Sequence, residues 1–273
     1  MVYFSRIRGN TASPRRRRLR KIGVVTVQVA VLCLVKITGH AIGIERISLN
    51  PLFSAMVAST VFLLGFLLNG VLTDFKESER IPAEIATALE SLSLEVQAIT
   101  TYHPDAVVGG ALTGIAQLGQ DLLSWIAETL SYEDLLLSYR LAHGEVVSAA
   151  VQFKGDASTL RGRLMQDMAI VLQKINRIQT IRTTKFVPLV YWMADIASLL
   201  LFVGLVIARG TNLAESVFFL AVISFLLILL LRLIDDIDNP FGQNDTASAE
   251  NVSIDLLVDT VARIRRRAFA ARL

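Results

Sequence analysis

Four long apolar stretches constrain this fold more than any other feature of the sequence. They lie at 22–44, 51–73, 187–208 and 213–234. Each is long enough to cross a bilayer as an α-helix, which takes about 20 residues. The whole chain is 53% hydrophobic with a mean hydropathy of +0.54, which is too apolar for an ordinary soluble domain. The sequence therefore predicts an all-α membrane protein with four transmembrane helices.

The distribution of basic residues predicts how the chain crosses the membrane. Residues 1–21 hold eight Lys or Arg and no acid, residues 75–186 hold ten, and residues 235–273 hold five. The two short loops between spans hold one each, Arg46 and Arg209. Lys and Arg concentrate in cytoplasmic segments. Both termini and residues 75–186 are therefore predicted to be cytoplasmic.

These boundaries predict a chain of five parts. They are a basic cytoplasmic N-terminus (1–21), transmembrane helices 1 and 2 (22–74), a helical cytoplasmic region (75–186), transmembrane helices 3 and 4 (187–235) and a cytoplasmic C-terminal segment (236–273). We interpret the basic N-terminus as a topogenic anchor because an apolar span follows it directly. The alternatives are a nucleic-acid or nuclear-import patch and a cleaved transit peptide; no nucleic-acid partner is predicted. The membrane is predicted to be a plasma or inner membrane, with an organelle membrane as the alternative.

The cytoplasmic region is predicted to form several helices that are separate from the second span. Residues 82–100 have an apolar face at helical spacing. Pro104 and the pair Gly109-Gly110 break that pattern. A more apolar helical segment follows at 111–137, and the final helix of this region is predicted at 159–183.

Several polar residues lie inside the predicted spans. A charged side chain within the bilayer is costly unless it is paired or hydrated. Asp195 is interpreted either as a pore-lining or ion-binding acid or as a structural partner of Arg232, Asn69 or Gln28. Lys36 lies near the far end of the first span, and its side chain is predicted to extend to the interface. The alternative is that Lys36 attracts ions at an outer vestibule.

The sequence offers no constellation that indicates an enzyme. It contains no glycine-rich phosphate loop and no GxSxG, HExxH or CxxC motif. Its single cysteine, Cys33, excludes an internal disulfide. The three histidines lie far apart in the sequence, without metal-ligand spacing. The protein is therefore predicted not to be an enzyme, and no cofactor is predicted with the exception of calcium, considered next.

An acidic cluster follows the fourth span. Its members are Asp235, Asp236, Asp238 and Asp245, on either side of the sequence NPFG at 239–242. Carboxylates at this density can bind Ca²⁺, although their spacing does not match an EF-hand loop. The alternative is a solvated turn beside the membrane.

At four places the sequence resembles the bestrophin family of anion channels. FLLGF at 62–66 with VLT at 71–73 resembles the family's second helix, and VPLVY at 187–191 resembles the start of its third. The basic segment 174–182 resembles the family's approach to that helix, and DNPFG at 238–242 resembles the turn after its last span. The structural-motif residues are Pro188 and Tyr191 at the start of the third helix, and Asn239, Pro240, Phe241 and Gly242 in the turn after the last span.

The resemblance implies a homopentamer around one central pore that passes chloride or another small monovalent ion. It carries the family's hydrophobic neck over to Ala58, Phe62 and Phe66. Stacked phenyl rings form a narrow apolar constriction that can gate by dewetting, and their positive edges favour anions. Ala58 is smaller than the aliphatic residue that the family pattern expects, so that end of the neck is predicted to be wider.

Two departures from the family pattern affect function. Asp74 follows the second helix where the family has a basic residue, and a ring of such carboxylates at the inner mouth attracts cations. After NPFG the chain has QNDTA in place of the dense acidic calcium clasp of the family's animal members. Chloride therefore remains the favoured ion with a cation as the alternative, and calcium activation is predicted to be weakened or lost.

Two other classes of function compete with the channel. One is a membrane-anchored helical scaffold that binds a partner through its cytoplasmic region. The other is a proton- or ion-coupled transporter that uses Asp195, although four spans without an internal repeat do not match the usual transporter plan.

Overall fold

We describe the fold from a computed structural model of the chain. It describes residues 14–48, 50–152, 158–184, 188–210, 212–238, 240–241 and 252–271. The helices in chain order are α1 (Pro14–Ile42), α2 (Pro51–Tyr102), α3 (Gly109–Ile126), α4 (Tyr132–Val151), α5 (Ser158–Thr183), α6 (Pro188–Ile207), α7 (Leu213–Ile237) and α8 (Asp255–Ala270). Two short strands accompany them, β1 (Ile47–Ser48) and β2 (Ala208–Arg209).

The chain divides into two compact units. Unit 1 comprises residues 1–74, 185–238 and 246–250, and unit 2 comprises residues 75–184, 239–245 and 251–273. Helices α1, α6 and α7 and the first part of α2 belong to unit 1, and the remaining helices belong to unit 2.

Unit 1 contains the membrane-spanning helices. Within the described residues, four helices are long and apolar enough to cross a bilayer, namely α1, α2, α6 and α7. Helix α1 packs mainly against α7 and also against α6, with Val25 and Val29 of α1 buried. The prediction of an all-α membrane protein with four transmembrane helices is confirmed.

The two short strands join the loops at one end of unit 1. Strand β1 pairs in parallel with β2, with Ile47 opposite Ala208 and Ser48 opposite Arg209. The Arg46 backbone N–H extends this pairing by donating to the Ile207 carbonyl at 3.1 Å. The sequence had indicated no strand, since a pairing this short leaves no alternating pattern to detect.

Helix α2 is one continuous helix of 52 residues, so the predicted break between the second span and a separate helix at 82–100 is wrong. The apolar run ends near residue 73, but the charged residues that follow are good helix formers. These charged residues suit water and not lipid, and the helix continues through them. Pro82 lies inside the helix and is buried. The helix therefore continues from unit 1 into unit 2.

Unit 2 is a helical core built around α3. Helix α3 packs against α4 and α8, and α4 packs against α5. Ten of the 18 residues of α3 are buried. Its contact with α8 is close, because a Cβ added at Gly119 would lie 2.8 Å from Val261 Cγ2. Ser131 caps α4 by accepting the Asp134 backbone N–H at 3.1 Å.

Candidate functional site

The membrane-spanning part of α2 has one face packed within unit 1. Thr60, Leu64, Leu67 and Val71 recur at intervals of three or four residues and are all buried. This spacing places their side chains on one side of the helix. The buried face orients α2 and leaves its opposite side uncovered in the single chain.

The uncovered side of α2 presents the three residues predicted to form a neck. Ala58, Phe62 and Phe66 are spaced four apart, so they share one face. Phe62 is 78% exposed and Phe66 is 57% exposed in the single chain. Phe62 lies about 200° around the helix from Leu64, since each residue turns the helix by about 100°. An exposed phenylalanine face of this kind needs lipid or another copy of the chain to cover it.

At one end of unit 1, Tyr191 lies close to Asp74, Asp235 and Asp238. We call this region the Tyr191 end. The Tyr191 hydroxyl donates to the Asp238 carboxylate. Asp74 and Asp235 are close enough to interact electrostatically with the same hydroxyl. Asp74, at the end of the apolar part of α2, is therefore brought near the start of α6 and the end of α7. Two residues singled out by sequence motifs, Tyr191 and Asp238, form this hydrogen bond.

The described members of the acidic cluster have different surroundings. Asp236 pairs with the Lys21 ammonium, Asp238 accepts from Tyr191, and Asp235 is exposed. In the part of the chain that the structure describes, no group of three or more His, Cys, Asp or Glu could hold a metal ion. Asp245 lies outside the described residues, as do Asn239 and Gly242 of the motif. The calcium site stays a prediction that these contacts do not support.

The polar residues inside the spans do not form the predicted partnership within one chain. Arg232 donates to the side-chain oxygen of Gln28 at 3.3 Å. Asp195 and Asn69 are exposed. Among the described residues no hydrogen bond or ion pair engages the Asp195 carboxylate. Within the described part of one chain Asp195 therefore pairs with none of Arg232, Asn69 and Gln28, although Arg232 and Gln28 do meet, and both interpretations of Asp195 stay predictions.

Lys36 is fully buried at the opposite end of unit 1, which we call the Lys36 end. Its ammonium lies 2.7 Å from Glu45 Oε1 and donates to the carbonyls of Val206, at 3.1 Å, and Ala208. The prediction that Lys36 extends to the interface stays a prediction. Carbonyls at the end of a helix lack partners within it and attract a cation, so the end of α6 holds the Lys36 ammonium.

Glu45 completes this arrangement from the loop. The hydrogen bond from Lys36, and after it the one from His40, holds the pKa of the Glu45 carboxyl below its ordinary value. His40 Nδ1 lies 3.0 Å from Glu45 Oε2. Sequence reasoning considered Lys36 alone, because the partners become neighbours only when the two loops fold together. The only sequence feature that pointed to this contact was a lysine in the first span with a glutamate nine residues later, in the turn that follows the span.

Arg182 in unit 2, like Lys36 in unit 1, is a basic residue that donates to backbone carbonyls. Its guanidinium donates to the carbonyls of Trp125 at 3.2 Å, Ile126 at 2.8 Å and Phe241 at 3.3 Å. It also lies 4.8 Å from the centroid of the Trp125 ring, within cation–π range. Burial lowers the pKa of Arg182, opposed by the charge of Glu128. Because Phe241 is also fully buried, this residue is anchored in the core of unit 2.

No protein-family model matches the chain, and no curated protein matches it significantly by sequence. Solved structures do match it. A bacterial bestrophin homologue from Klebsiella pneumoniae aligns with a TM-score of 0.68 at 15% identity, covering 93% of this chain and 97% of that one. A variant of that homologue aligns with the same TM-score at 16% identity, with 92% and 97% covered.

A crystal structure described as a membrane protein aligns with a TM-score of 0.71 at 15% identity, covering 92% of this chain and 98% of that one. These alignments extend over both units and nearly the full length of each matched protein. The resemblance seen in four short motifs is thus confirmed at the level of three-dimensional structure. The chain has the bestrophin fold.

Proposed function

We propose that this protein is an oligomeric ion channel, a divergent member of the bestrophin family, in which several copies surround a pore lined by α2. The observation that carries the proposal is the exposed face formed by Ala58, Phe62 and Phe66. It lies opposite the face by which α2 packs within its own unit. Copies arranged around an axis with this face inward form an apolar constriction, which can open and close by wetting and dewetting.

The proposed assembly is a homopentamer, as the family resemblance implies. Five rings at Phe62 and five at Phe66 form the narrow part of the neck, and the smaller Ala58 forms a wider end. The Tyr191 end of unit 1 faces the cytoplasm, since the segments that adjoin it in sequence hold most of the basic residues. The five parts of the chain keep the boundaries predicted from sequence. No step of conduction requires a catalytic group.

Two features of the proposed pore favour ions of opposite charge. The edges of phenyl rings carry partial positive charge and favour anions, so Phe62 and Phe66 support chloride. Asp74 supports cations, because a ring of carboxylates at the inner mouth concentrates them. We favour chloride as the permeant ion because the neck is the narrower and drier of the two regions. A small cation is the alternative.

Ion flux through liposomes that contain the purified protein tests the proposal. We expect chloride-driven flux from the wild-type protein and at least severalfold higher leak from the chain with both Phe62→Ala and Phe66→Ala, because truncation widens the constriction. The matched control carries Phe218→Ala and Phe219→Ala, which truncates two exposed phenylalanines of α7. Wild-type liposomes without conductance in any ion gradient, or equal leak from both double variants, contradict the proposed pore.

Asp74 is tested in the same liposomes by ion substitution. In Asp74→Asn, each subunit loses one negative charge at the proposed inner mouth. The permeability ratio of chloride to potassium is expected to rise severalfold as the attraction for cations disappears. An unchanged ratio would remove Asp74 from the selectivity of the pore without affecting the neck.

A membrane-anchored scaffold remains the second candidate, favoured by a groove in unit 2. The groove has a volume of about 810 Å³ and is lined by residues of α3 and α4, among them the carboxylates of Asp121, Asp134 and Glu145. Such a surface suits a basic partner segment. The scaffold predicts a monomer or dimer in detergent and a function that survives truncation of Phe62 and Phe66. Molecular mass by light scattering separates it from the channel.

A further inference from the structure

The hydrogen bond between Tyr191 and Asp238 fixes how the antiparallel helices α6 and α7 align in depth. Asp195 lies four residues beyond Tyr191 along α6, and Arg232 lies six residues before Asp238 along α7. At 1.5 Å per residue, these positions are about 6 Å and about 9 Å above the hydrogen bond. The difference of about 3 Å is shorter than an arginine side chain. Two opposite charges therefore lie at nearly the same depth inside the spans.

Within the described part of the chain, no opposite charge pairs with Asp195 or Arg232. Arg232 is exposed and donates to the neutral amide of Gln28 at 3.3 Å. Asp195 is exposed, and in the described part of the chain no hydrogen bond or ion pair reaches it. A charge in a span that faces lipid is unfavourable, and such residues face protein or water in membrane proteins. Both side chains therefore need a covering that one copy does not supply.

We propose that Asp195 of one subunit pairs with Arg232 of the partner subunit, so that copies of this chain meet through a charge pair within the membrane. The inference rests on the proposed oligomeric channel. A closed ring joins two different surfaces of each copy, and the exposed charges of α6 and α7 are opposite in sign and nearly equal in depth, so they are complementary across such a joint. Exposed apolar side chains surround both charges, Trp192 and Leu199 beside Asp195 and Leu229 and Leu233 beside Arg232. Such a rim excludes water from a central pair.

Charge reversal tests the pair through the stability of the assembly. Asp195→Arg alone and Arg232→Asp alone each place like charges together, and each is expected to raise the dissociated fraction in detergent at least tenfold. The chain with both substitutions re-forms the pair in reverse and is expected to recover the wild-type mass. Arg209→Asp, at an exposed position of β2, is the control and should leave the mass unchanged. Single reversals that keep the wild-type mass, or a double reversal that does not recover it, overturn the pair.

Cross-linking tests the same pair without changing the sign of a buried charge. Cys33 is the only cysteine, so Cys33→Ala gives a background free of thiols. Two differently tagged chains are co-expressed in this background, one with Asp195→Cys and the other with Arg232→Cys. The two cysteine side chains are shorter than the residues they replace, so the gap between their sulfur atoms is too wide for a disulfide. A thiol cross-linker of about 8 Å spans this gap and is expected to give a dimer that carries both tags. Phe218→Cys in place of Arg232→Cys lies about 21 Å further along α7 and is expected to give none.

The outcomes separate this pair from the proposed channel. An intact oligomer without the mixed dimer overturns the pair and leaves the channel standing. A further chain that carries both Asp195→Cys and Arg232→Cys, and that cross-links only within itself, has the same consequence. A wild-type protein that is monomeric in detergent overturns the pair together with the proposed oligomer. A mixed dimer with the first combination and none with the second supports the pair.

Discussion

The two units of this chain are built from equally helical sequence but cover their apolar residues in different ways. In unit 2, ten of the 18 residues of α3 are buried against neighbouring helices of the same unit. In the most apolar windows of the four spans, only 22% to 28% of residues are buried. Unit 2 is thus a core complete within one chain. The apolar surface of unit 1 needs lipid or further copies of the protein to cover it.

This contrast teaches that hydrophobicity alone does not indicate where a residue packs. The exposed face of α2 and the exposed faces of α6 and α7 have the composition of a core, yet no described residue of the single chain covers them. Substitutions of similar residues in the two units should therefore differ sharply in effect. The predictions that follow use such matched substitutions, from the largest expected change to the smallest.

Truncation of a buried side chain in unit 2 is expected to have the largest effect. Ile115 of α3 is fully buried, so Ile115→Ala leaves a cavity and should lower the free energy of unfolding by about 2–5 kcal/mol. The matched substitution in unit 1, Leu34→Ala on α1, removes a side chain that is 61% exposed and that belongs to neither the proposed neck nor the proposed charge pair. It should lower the free energy of unfolding of the detergent-dissolved single chain by less than about 0.5 kcal/mol. Denaturant unfolding in detergent measures both, and equal losses would erase the contrast.

The sequence was sufficient for the apolar architecture of unit 1. Four spans and their order follow from length and hydropathy, because a bilayer imposes a minimum length that few soluble segments meet. The continuity of α2 was missed because the end of an apolar run is not the end of a helix. Glutamate, lysine and arginine favour helix as well as leucine does, so only the surrounding structure decides where such a helix ends.

The polar contacts were only partly predictable. Tyr191 and Asp238 lie in motifs, and both could be named from sequence before their hydrogen bond was seen. The contacts of Lys36 and Arg182 with backbone carbonyls could not be predicted, because every residue has a carbonyl and the sequence does not single one out. Their partners are helix ends, and these become neighbours only through tertiary packing. The neck residues Phe62 and Phe66 are placed on one exposed face, while their place at a pore stays a prediction.

A close helix contact in unit 2 gives the next largest effect. Gly119→Ala adds a methyl group that would lie 2.8 Å from Val261 Cγ2, closer than carbon atoms pack. Overpacking of this kind should lower the free energy of unfolding by about 1–3 kcal/mol. Gly144→Ala on α4 is the matched control, since no atom lies within 4 Å of the added group. There the better helix propensity of alanine should stabilise the protein by up to about 1 kcal/mol.

Recovery in a second variant makes this prediction specific to the contact. Val261→Ala removes both methyl groups that face Gly119, so the combination with Gly119→Ala should lose less stability than the two single losses added together. Strict additivity in denaturant unfolding would show that the glycine is needed for another reason. The matched pair compares a core-facing position with an open one within the same unit, and so tests whether unit 2 is closely packed throughout or only at chosen contacts.

The smallest expected effect concerns the charged contacts at the Lys36 end of unit 1. Lys36 and His40 hold the pKa of Glu45 below its ordinary value, so the folded protein binds a proton at Glu45 less readily than the unfolded chain. The stability from this contact is therefore present above the ordinary glutamate pKa and is lost as the pH falls through the lower pKa of the folded state. Glutamine keeps an oxygen that can accept from the buried Lys36 ammonium, so Glu45→Gln should remove that part of the acid sensitivity and cost about 1 kcal/mol at neutral pH, the difference between a charged and a neutral acceptor. Thermal unfolding of wild type, Glu45→Gln and the exposed control Glu79→Gln between pH 7 and pH 3 measures it. Curves of wild type and Glu45→Gln that stay parallel down to pH 3 would show that the contact adds no pH-dependent stability, and that the exposed spans of unit 1 are not joined at this end by charge.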